Sequence, residues 1–332
     1  MFEQRAVLNP GIWKEGEYVH MFYRAIDAQY RSSIGYARLK GPLKVVERLH
    51  LPIIRREYDY EKAGVEDPRV MKLGDTYYML YVAHDGQNAI TAYAISKDLK
   101  NFKKHGIISP KITYRAAEKL FKKSHLKDAY YLFSAYYQEQ AGEDILIWSK
   151  DFLLFPKKIN GKYAIIHRIL PDIQILYFDN FKQLASTAFW KKEIQCLSKN
   201  VVLENTHWFE SRNIGGGCNP VDTKHGWLLI FHSVEERNEG RVYRASAALL
   251  DKKNPGKVIA RLHEPLFSPT KKWEKSGLVQ NVVFPTGTAL FGNELFIYYG
   301  AADKYISAVS VNINSLIKTM KNPHCQHPNA KK

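Results

Sequence analysis

The fold is decided by a phrase in which a glycine precedes an apolar and aromatic run, as in GDTYYMLYV (Gly74–Val82). The phrase recurs at four other places, which begin at Gly16, Gly161, Gly226 and Gly292. Each run is rich in Tyr, Phe, Ile, Val and Leu, which strands favour. A glycine supplies the backbone freedom of a tight turn. The sequence therefore predicts five β-hairpins, each with its turn at the repeated glycine.

Two further features surround each hairpin. A proline precedes the glycine by five to seven residues, and a third apolar run usually follows, as in AITAYAIS (89–96). Five units of three or four antiparallel strands are typical of propeller blades. We therefore predict an all-β, five-bladed β-propeller that forms a single domain over residues 1–317. Residues 318–332 are predicted to form a basic C-terminal tail.

The second unit is longer than the others, because 87 residues separate Gly74 from Gly161. We place an insertion at about residues 111–147. Its part from Ala116 to Lys127 is predicted to form a short helix, and the aromatic remainder to form extra strands or a lid. Long insertions in compact folds are usually functional or mobile.

The composition excludes several classes of protein. The 332 residues are 45% hydrophobic and 13% aromatic, which excludes a disordered chain. No run approaches the roughly 20 apolar residues of a membrane helix, and no secretory signal is visible. Three cysteines without metal-ligand spacing favour a cytoplasmic protein with no metal site. The net charge of +16 comes from scattered basic pairs, so it indicates a basic surface rather than nucleic-acid binding.

The repeats also predict where a ligand site would lie. In a propeller the innermost strands line a central channel, and ligands bind at one mouth of it. The residues before the repeated prolines and those at the ends of the second strands should converge there. They are Asn9, Asp67, Phe155, Asn219 and Phe284, together with Arg24, Arg168, His232 and Asp303.

The sequence resembles glycoside hydrolase family 130, which comprises β-mannoside phosphorylases and related β-mannosidases. The resemblance rests on LNPGIW with FYRA, GVEDPRV (Gly64–Val70) and KDFLLFPKKINGKYAIIHR (Lys150–Arg168). It continues through IGGGCNPVDTKHGWLLIFHSV (Ile214–Val234), YRASAALLD, NVVFPTG and IYYGAAD. Seven segments in order are specific evidence, and the resemblance implies a five-bladed propeller.

The resemblance implies that Asp67 is the general acid, with Glu66 and Arg69 beside it. A glycosidic oxygen leaves poorly unless it is protonated as its bond breaks, and a carboxyl group supplies that proton. In the family the proton is thought to pass through a sugar hydroxyl. The mannosyl ring would be held by Asn9, Arg24 and Asp303, while Phe284 and Tyr299 would either stack on a sugar face or pack in the core.

The second implied group is a phosphate site formed by Lys150, Arg168, His232 and Tyr243. Phosphate is already a nucleophile, so it requires placement by cationic groups rather than deprotonation. Lys150 departs from the family if arginine is usual there. Where a lysine is common in the family just before the Ile-Gly pair, this chain has Asn213. Either Arg212 supplies the missing charge or the subsite has changed its function.

We therefore expect an inverting β-mannoside phosphorylase that converts a non-reducing β-mannosyl unit and inorganic phosphate to α-mannose 1-phosphate. Phosphate is a co-substrate, and no cofactor is implied. One alternative is a hydrolytic β-mannosidase with Glu210 or Glu236 as the base. Another is a non-catalytic propeller that binds carbohydrate or a partner protein. The family also allows homo-oligomers, and the linkage, β-1,2 or β-1,4, is not readable from the sequence.

Overall fold

The five predicted hairpins are all present in the computed structural model, which describes residues 1–322. Each repeated glycine has a positive φ, from 57° at Gly74 to 142° at Gly226, and lies at the turn before its aromatic strand. The third strands also lie where they were predicted. The chain is mostly β and forms several sheets.

The strands fall into five consecutive antiparallel units within residues 1–322. The first unit contains β1 (Ala6–Glu15), β2 (Tyr18–Ile26), β3 (Ser32–Lys40) and β4 (Lys44–Arg48). The second contains β5 (Gly64–Leu73), β6 (Thr76–His84), β7 (Ala89–Ser96) and β8 (Lys103–Ile107). The third contains β9 (Lys150–Leu154), β10 (Tyr163–Ile169), β11 (Asp172–Phe178) and β12 (Val201–Leu203). The fourth contains β13 (Asn213–Gly216), β14 (Val221–Thr223), β15 (Gly226–Arg237), β16 (Gly240–Leu250) and β17 (Val258–Arg261). The fifth contains β18 (Val283–Phe291), β19 (Glu294–Ala301) and β20 (Tyr305–Asn312).

Apolar clusters lie between neighbouring units, and the last of these clusters joins the fifth unit to the first. Phe22 packs with Met79 between units one and two, and Leu153 packs with Phe231 between units three and four. Ile12 shares a cluster with Tyr298 of the fifth unit. Such clusters lie between units one and two, two and three, three and four, four and five, and five and one. Backbone pairing between the described strands joins units one and two at one residue pair, Ser32–Gly64.

A β-bulge interrupts the first strand of each of the first three units. In β1 the pair Asn9-Pro10 stands opposite one residue of β2, and in β5 the pair Asp67-Pro68 stands opposite one residue of β6. In β9 the bulged pair is Asp151 with Phe152. Asn9, Asp67 and Asp151 all have left-handed φ, at 47°, 50° and 61°. Such bulges bend the strand and redirect a side chain.

In the third and fourth units, the residues before the repeated prolines, Phe155 and Asn219, do not line the predicted ligand site. Phe155 was expected at the ligand site, but it follows β9 and its buried ring packs edge-on against Trp227, with 5.1 Å between ring centroids. Asn219 links strands instead, because its amide group donates to Val70 and accepts from the Leu154 N–H.

The insertion forms two helices, α1 (Tyr114–Ser124) and α2 (Asp128–Ala141). The first matches the predicted helix, with the Thr113 side chain capping its N-terminus. The expected extra strands are wrong, because Tyr130, Ser134, Tyr137 and Ala141 recur at helical spacing and face one side. The Tyr130 hydroxyl and Lys127 both bind Asp172 of β11, which anchors the hairpin to the third unit.

The remaining helices lie outside the strands. Three short helices, α3 (Phe181–Leu184), α4 (Thr187–Gln195) and α5 (Leu197–Asn200), connect β11 to β12, and α6 (Lys272–Lys275) precedes β18. The last helix, α7 (Ile313–Lys321), buries Leu316, Ile317 and Met320. It extends four residues beyond the predicted boundary at 317, and the rest of the predicted tail, 323–332, lies outside the described residues. No helix in residues 1–322 is long and apolar enough to cross a bilayer.

The hairpin glycines should differ in how well they tolerate a side chain. A Cβ at Gly226 would lie 2.3 Å from the Leu250 carbonyl oxygen, whereas a Cβ at Gly16 would meet nothing within 4 Å. We predict that Gly226→Ala lowers the free energy of unfolding by about 3 kcal/mol, and Gly16→Ala by about 1 kcal/mol. Urea unfolding of both variants checks this, and equal losses would contradict it.

Candidate active site

One cavity of about 240 Å³ brings side chains of all five units together. Ten of the twelve site residues predicted from the sequence line it, and only Glu66 and Arg69 lie behind its wall. The ten are Asn9, Arg24, Asp67, Lys150, Arg168, Arg212, His232, Tyr243, Phe284 and Asp303. The charged lining consists of five Arg or Lys side chains and three Asp, so the cavity favours an anion.

Asp67 lies at one side of the cavity, where the β5 bulge turns it inward. The Asn9 side-chain amide donates to Asp67 Oδ1 at 2.8 Å, and Arg24 Nη1 lies 4.0 Å from the same oxygen. Asn9 of the β1 bulge and Arg24 of β2 therefore hold this carboxyl group between an amide donor and a cation.

Glu66 and Arg69 support this side of the cavity from behind. Arg24 donates to Glu66 Oε1 at 2.7 Å and to Ser32 Oγ at 2.9 Å, which fixes the guanidinium. Burial disfavours the charged form of Glu66, but Arg24 and Lys150 outweigh it and lower the pKa of this carboxyl. Arg69 donates to the Asp67, Pro68 and Gly217 carbonyls, so it holds the bulge to the fourth unit rather than facing the cavity.

Asp303 comes from the turn after β19, where its φ is 50°. Burial raises the pKa of Asp303 to about 6; Arg24 opposes the rise, whereas the charges of Asp67 and Glu66 add to it. Two carboxyl groups and one guanidinium thus share the same side of the cavity, and Asp303 is the one with the raised pKa.

A cluster of basic groups from the third and fourth units lines the same cavity. Arg168 Nη1 lies 3.4 Å from His232 Nε2 and 3.1 Å from Asp151 Oδ2. Burial lowers the pKa of His232 to about 4; Asp151 opposes this shift, whereas Arg168 adds to it, and the imidazole is neutral at pH 7. An arginine only donates, so the His232 nitrogen that faces it is the acceptor. The Phe284 ring packs on the imidazole, with centroids 4.5 Å apart.

Several residues that line this cavity were not predicted from the sequence, and two of them matter most. Asp151 lines the cavity at the β9 bulge, but no proline follows it, so the repeated prolines did not predict it. The insertion supplies Tyr137 of α2, which lines the cavity and packs on Trp148 with 4.8 Å between ring centroids. Only the aromatic content of the insertion signalled that it would approach a ligand.

Arg212 lines the cavity mouth, where Asn213 cannot supply a charge. Its guanidinium lies over the Phe133 and Tyr136 rings of α2, 5.2 Å from each centroid. Arg212 Nη1 also binds Glu236 at 2.6 Å, and Glu236 lies 3.4 Å from Arg241. Glu236 is therefore an exposed rim carboxylate held by two arginines.

Glu210 lies away from the cavity and serves the fold. It is fully buried, accepts the Thr206 and His207 backbone N–H groups and forms an ion pair with Arg261. Glu61 and Glu274 repeat the arrangement, each accepting two backbone N–H groups before the first strand of its unit. The candidacy of Glu210 as a catalytic base is wrong for this reason.

Tyr299 does not face the cavity either. Its ring is buried, and its hydroxyl donates to Glu274 at 2.6 Å, so it is a core residue rather than a sugar platform. Among the described residues, no group of three or more His, Cys, Asp or Glu side chains is arranged to hold a metal ion.

Known proteins of one family match this chain over nearly its whole length. The family model described as β-1,4-mannooligosaccharide phosphorylase, of glycoside hydrolase family 130, matches residues 2–322. The chain is 32% identical to a 1,2-β-oligomannan phosphorylase of Thermoanaerobacter sp. (strain X514), covering 95% of this chain and 93% of the relative. It is 34% identical to a β-1,2-mannobiose phosphorylase of the same strain, covering 93% and 91%.

A solved structure shares the fold. The β-1,2-mannobiose phosphorylase of Listeria innocua, in complex with β-1,2-mannobiose, superimposes with a TM-score of 0.73. The match covers 96% of this chain and 92% of the other, at 22% sequence identity.

The raised pKa of Asp303 predicts a pH-dependent stability. The folded state holds this proton more tightly than the unfolded state, where the pKa is 3.8, so the stabilisation is complete below pH 4 and is lost as the pH rises through 6. Between pH 4 and 7 the wild type should lose up to roughly 3 kcal/mol more unfolding free energy than Asp303→Asn. Urea unfolding across this range measures the difference, and parallel pH profiles would contradict it.

Proposed function

The chain belongs to glycoside hydrolase family 130, and from this we propose that it catalyses the phosphorolysis of β-mannosides with inversion at the anomeric carbon. One observation carries the proposal beyond family membership: a single cavity is lined both by the Asp67 carboxyl group and by a cluster of cationic groups. An inverting displacement requires an acid for the leaving group and a nucleophile on the opposite face of the sugar.

The geometry supports Asp67 as the acid. Its carboxyl group faces the cavity and is held by Asn9 and Arg24. In the proposed step the proton of Asp67 reaches the glycosidic oxygen as the bond from that oxygen to the anomeric carbon breaks. The proton thus leaves with the shortened saccharide, and Asp67 ends as a carboxylate.

The basic side supports phosphate as the nucleophile. Arg168 and Lys150 supply positive charge, and the neutral His232 and Tyr243 supply hydrogen bonds, so this set can orient an anion without deprotonating water. A phosphate oxygen would form the new bond to the anomeric carbon from the face opposite the leaving oxygen. The products are then α-mannose 1-phosphate and a saccharide one unit shorter.

The contacts also distinguish the alternatives. A hydrolase would need a second carboxylate that activates water. Glu210 is buried outside the cavity, and Glu236 is neutralised at the rim by Arg212 and Arg241. Neither residue faces Asp67 across the cavity. A non-catalytic binding protein would not require an acid together with a cationic cluster in one cavity, so phosphorolysis explains the charged residues better than either alternative.

We further propose that the five units form the blades of a five-bladed propeller. The cyclic order of their apolar contacts and the convergence of all five on one cavity support this arrangement. The insertion then acts as a fixed wall of the cavity rather than a lid, since Asp172 anchors it and Tyr137 faces the ligand. Homo-oligomerisation and a cytoplasmic location stay predictions.

The bond that is cleaved is proposed to be a β-1,2 linkage. Two relatives that cover more than nine-tenths of this chain are named for β-1,2-linked mannosides. The family model is described by the β-1,4 linkage, so substrates of both types belong in the test.

The reaction is tested by incubating the purified chain with β-1,2- and β-1,4-mannobiose, with and without phosphate. We predict that mannose 1-phosphate forms only with phosphate and from β-1,2-mannobiose at least tenfold faster. Proton NMR of the first product should show the α-anomer, because displacement inverts the centre. Free mannose released at the same rate without phosphate would instead identify a hydrolase.

A second prediction tests the role of Asp67. Asp67→Asn should lower kcat on mannobiose by about 10³-fold, because the leaving oxygen is no longer protonated. On 2,4-dinitrophenyl β-mannoside, whose leaving group needs no proton, the same variant should stay within about tenfold of the wild type. Asp303→Asn is the matched control, for which the two substrates should be affected alike. Equal loss on both substrates for Asp67→Asn would contradict the assignment.

A further inference from the structure

Asp151 is a buried carboxylate inside a cavity that is otherwise built for an anion. It occupies the β9 bulge, the position that Asn9 and Asp67 take in the first two units, and it is 7% exposed. A negative charge at this place repels phosphate, so on electrostatic grounds alone it weakens the site. We therefore look for a favourable effect of the Asp151 carboxylate that offsets this repulsion.

The contacts of Asp151 indicate this effect. Its Oδ2 lies 3.1 Å from Arg168 Nη1 and 4.0 Å from His232 Nε2, and all three side chains line the cavity. A guanidinium carries five donors in a rigid plane. An ion pair with the Asp151 carboxylate holds this plane in place and leaves its donors available to a ligand.

A second observation comes from the glycines of the facing strand, β13. A Cβ at Gly215 would lie 2.6 Å from Asp151 Oδ2 and 2.4 Å from His232 Cε1. A Cβ at Gly216 would lie 2.9 Å from the Asp151 carbonyl oxygen. The absence of a side chain at these two glycines therefore leaves the space that the Asp151 carboxylate and the His232 ring occupy.

We propose that Asp151 is a positioning residue that holds the Arg168 guanidinium against His232 and so pre-forms the phosphate site. The inference rests on the proposed function, because it assigns Asp151 to the phosphate half of that reaction. Asp151 need not contact the mannosyl unit, and its effect should appear in phosphate binding rather than in the saccharide half.

Three variants test the proposal. Asp151→Ala removes the carboxylate, and Asp151→Asn removes the charge but keeps an oxygen close to Arg168. Gly215→Ala places a methyl group against Asp151 and His232 without replacing either residue. Asp98→Ala is the matched control, since Asp98 caps an exposed turn after β7 and lies outside the cavity.

Initial rates are measured with phosphate and mannoside varied separately, together with the rise in melting temperature that inorganic phosphate causes. The second readout does not depend on turnover. We expect Asp151→Ala to raise KM for phosphate at least tenfold while KM for the mannoside stays within threefold. Asp151→Asn should lose less, and Gly215→Ala should resemble Asp151→Ala. In Asp151→Ala and Gly215→Ala, the rise in melting temperature caused by phosphate should be smaller than in the wild type.

Three outcomes would overturn the proposal. The first is an unchanged KM for phosphate in Asp151→Ala. The second is a fall in kcat at saturating phosphate with both KM values unchanged, which would place Asp151 in the chemical step. The third is a loss that Asp98→Ala reproduces. A wild type that turns over mannoside without phosphate would instead refute the proposed function itself.

Discussion

The active site depends on a backbone constraint at the start of the first three units, where one residue of the first strand is left-handed. Few side chains tolerate that conformation, and Asn and Asp are the commonest after glycine. The same bulge that needs an Asn or Asp also bends the strand and turns the side chain toward the cavity. Local sterics thus favour Asn or Asp at positions 9, 67 and 151, and the bent strands direct these side chains toward the cavity. Contacts around the bulges, such as Arg69 on the Asp67 carbonyl, offset the strain.

Much of this arrangement could be read from the sequence, because the hairpin signal is local. A positive-φ glycine followed by an aromatic strand is specified within about ten residues, and all five hairpins lie where they were expected. The bulge signal was less complete. Proline follows the left-handed residue in β1 and β5, but Phe152 takes that place in β9. The bulge requires the left-handed residue and not the proline, so the repeated prolines predicted Phe155 at the ligand site and did not predict Asp151.

Other features could not be predicted because they depend on which residues lie close together in the folded chain. Glu210 is near the cavity residues in sequence, yet its carboxylate closes a turn in the same way as Glu61 and Glu274. The interval to the following strand is three residues after Glu61 and Glu210 but nine after Glu274, which conceals the repeat. The strands predicted for the insertion were wrong for a different reason. Its tyrosines suit a strand by propensity, but tertiary packing on Asp172 and Trp148 favours a helix.

The contact between the first and fifth units bears on how the protein is made. Thr286 donates to the Pro10 carbonyl, the Val7 N–H donates to the Lys304 carbonyl, and a Cβ at Gly300 would lie 1.9 Å from Asn9 Oδ1. These contacts span almost the whole chain, and contacts of such long range form slowly. On the ribosome, the strand that carries Asn9 must therefore wait for nearly all of the chain to be synthesised. Because residues of the first and the fifth units both line the cavity, the cavity is complete only once the last hairpin has joined the first unit.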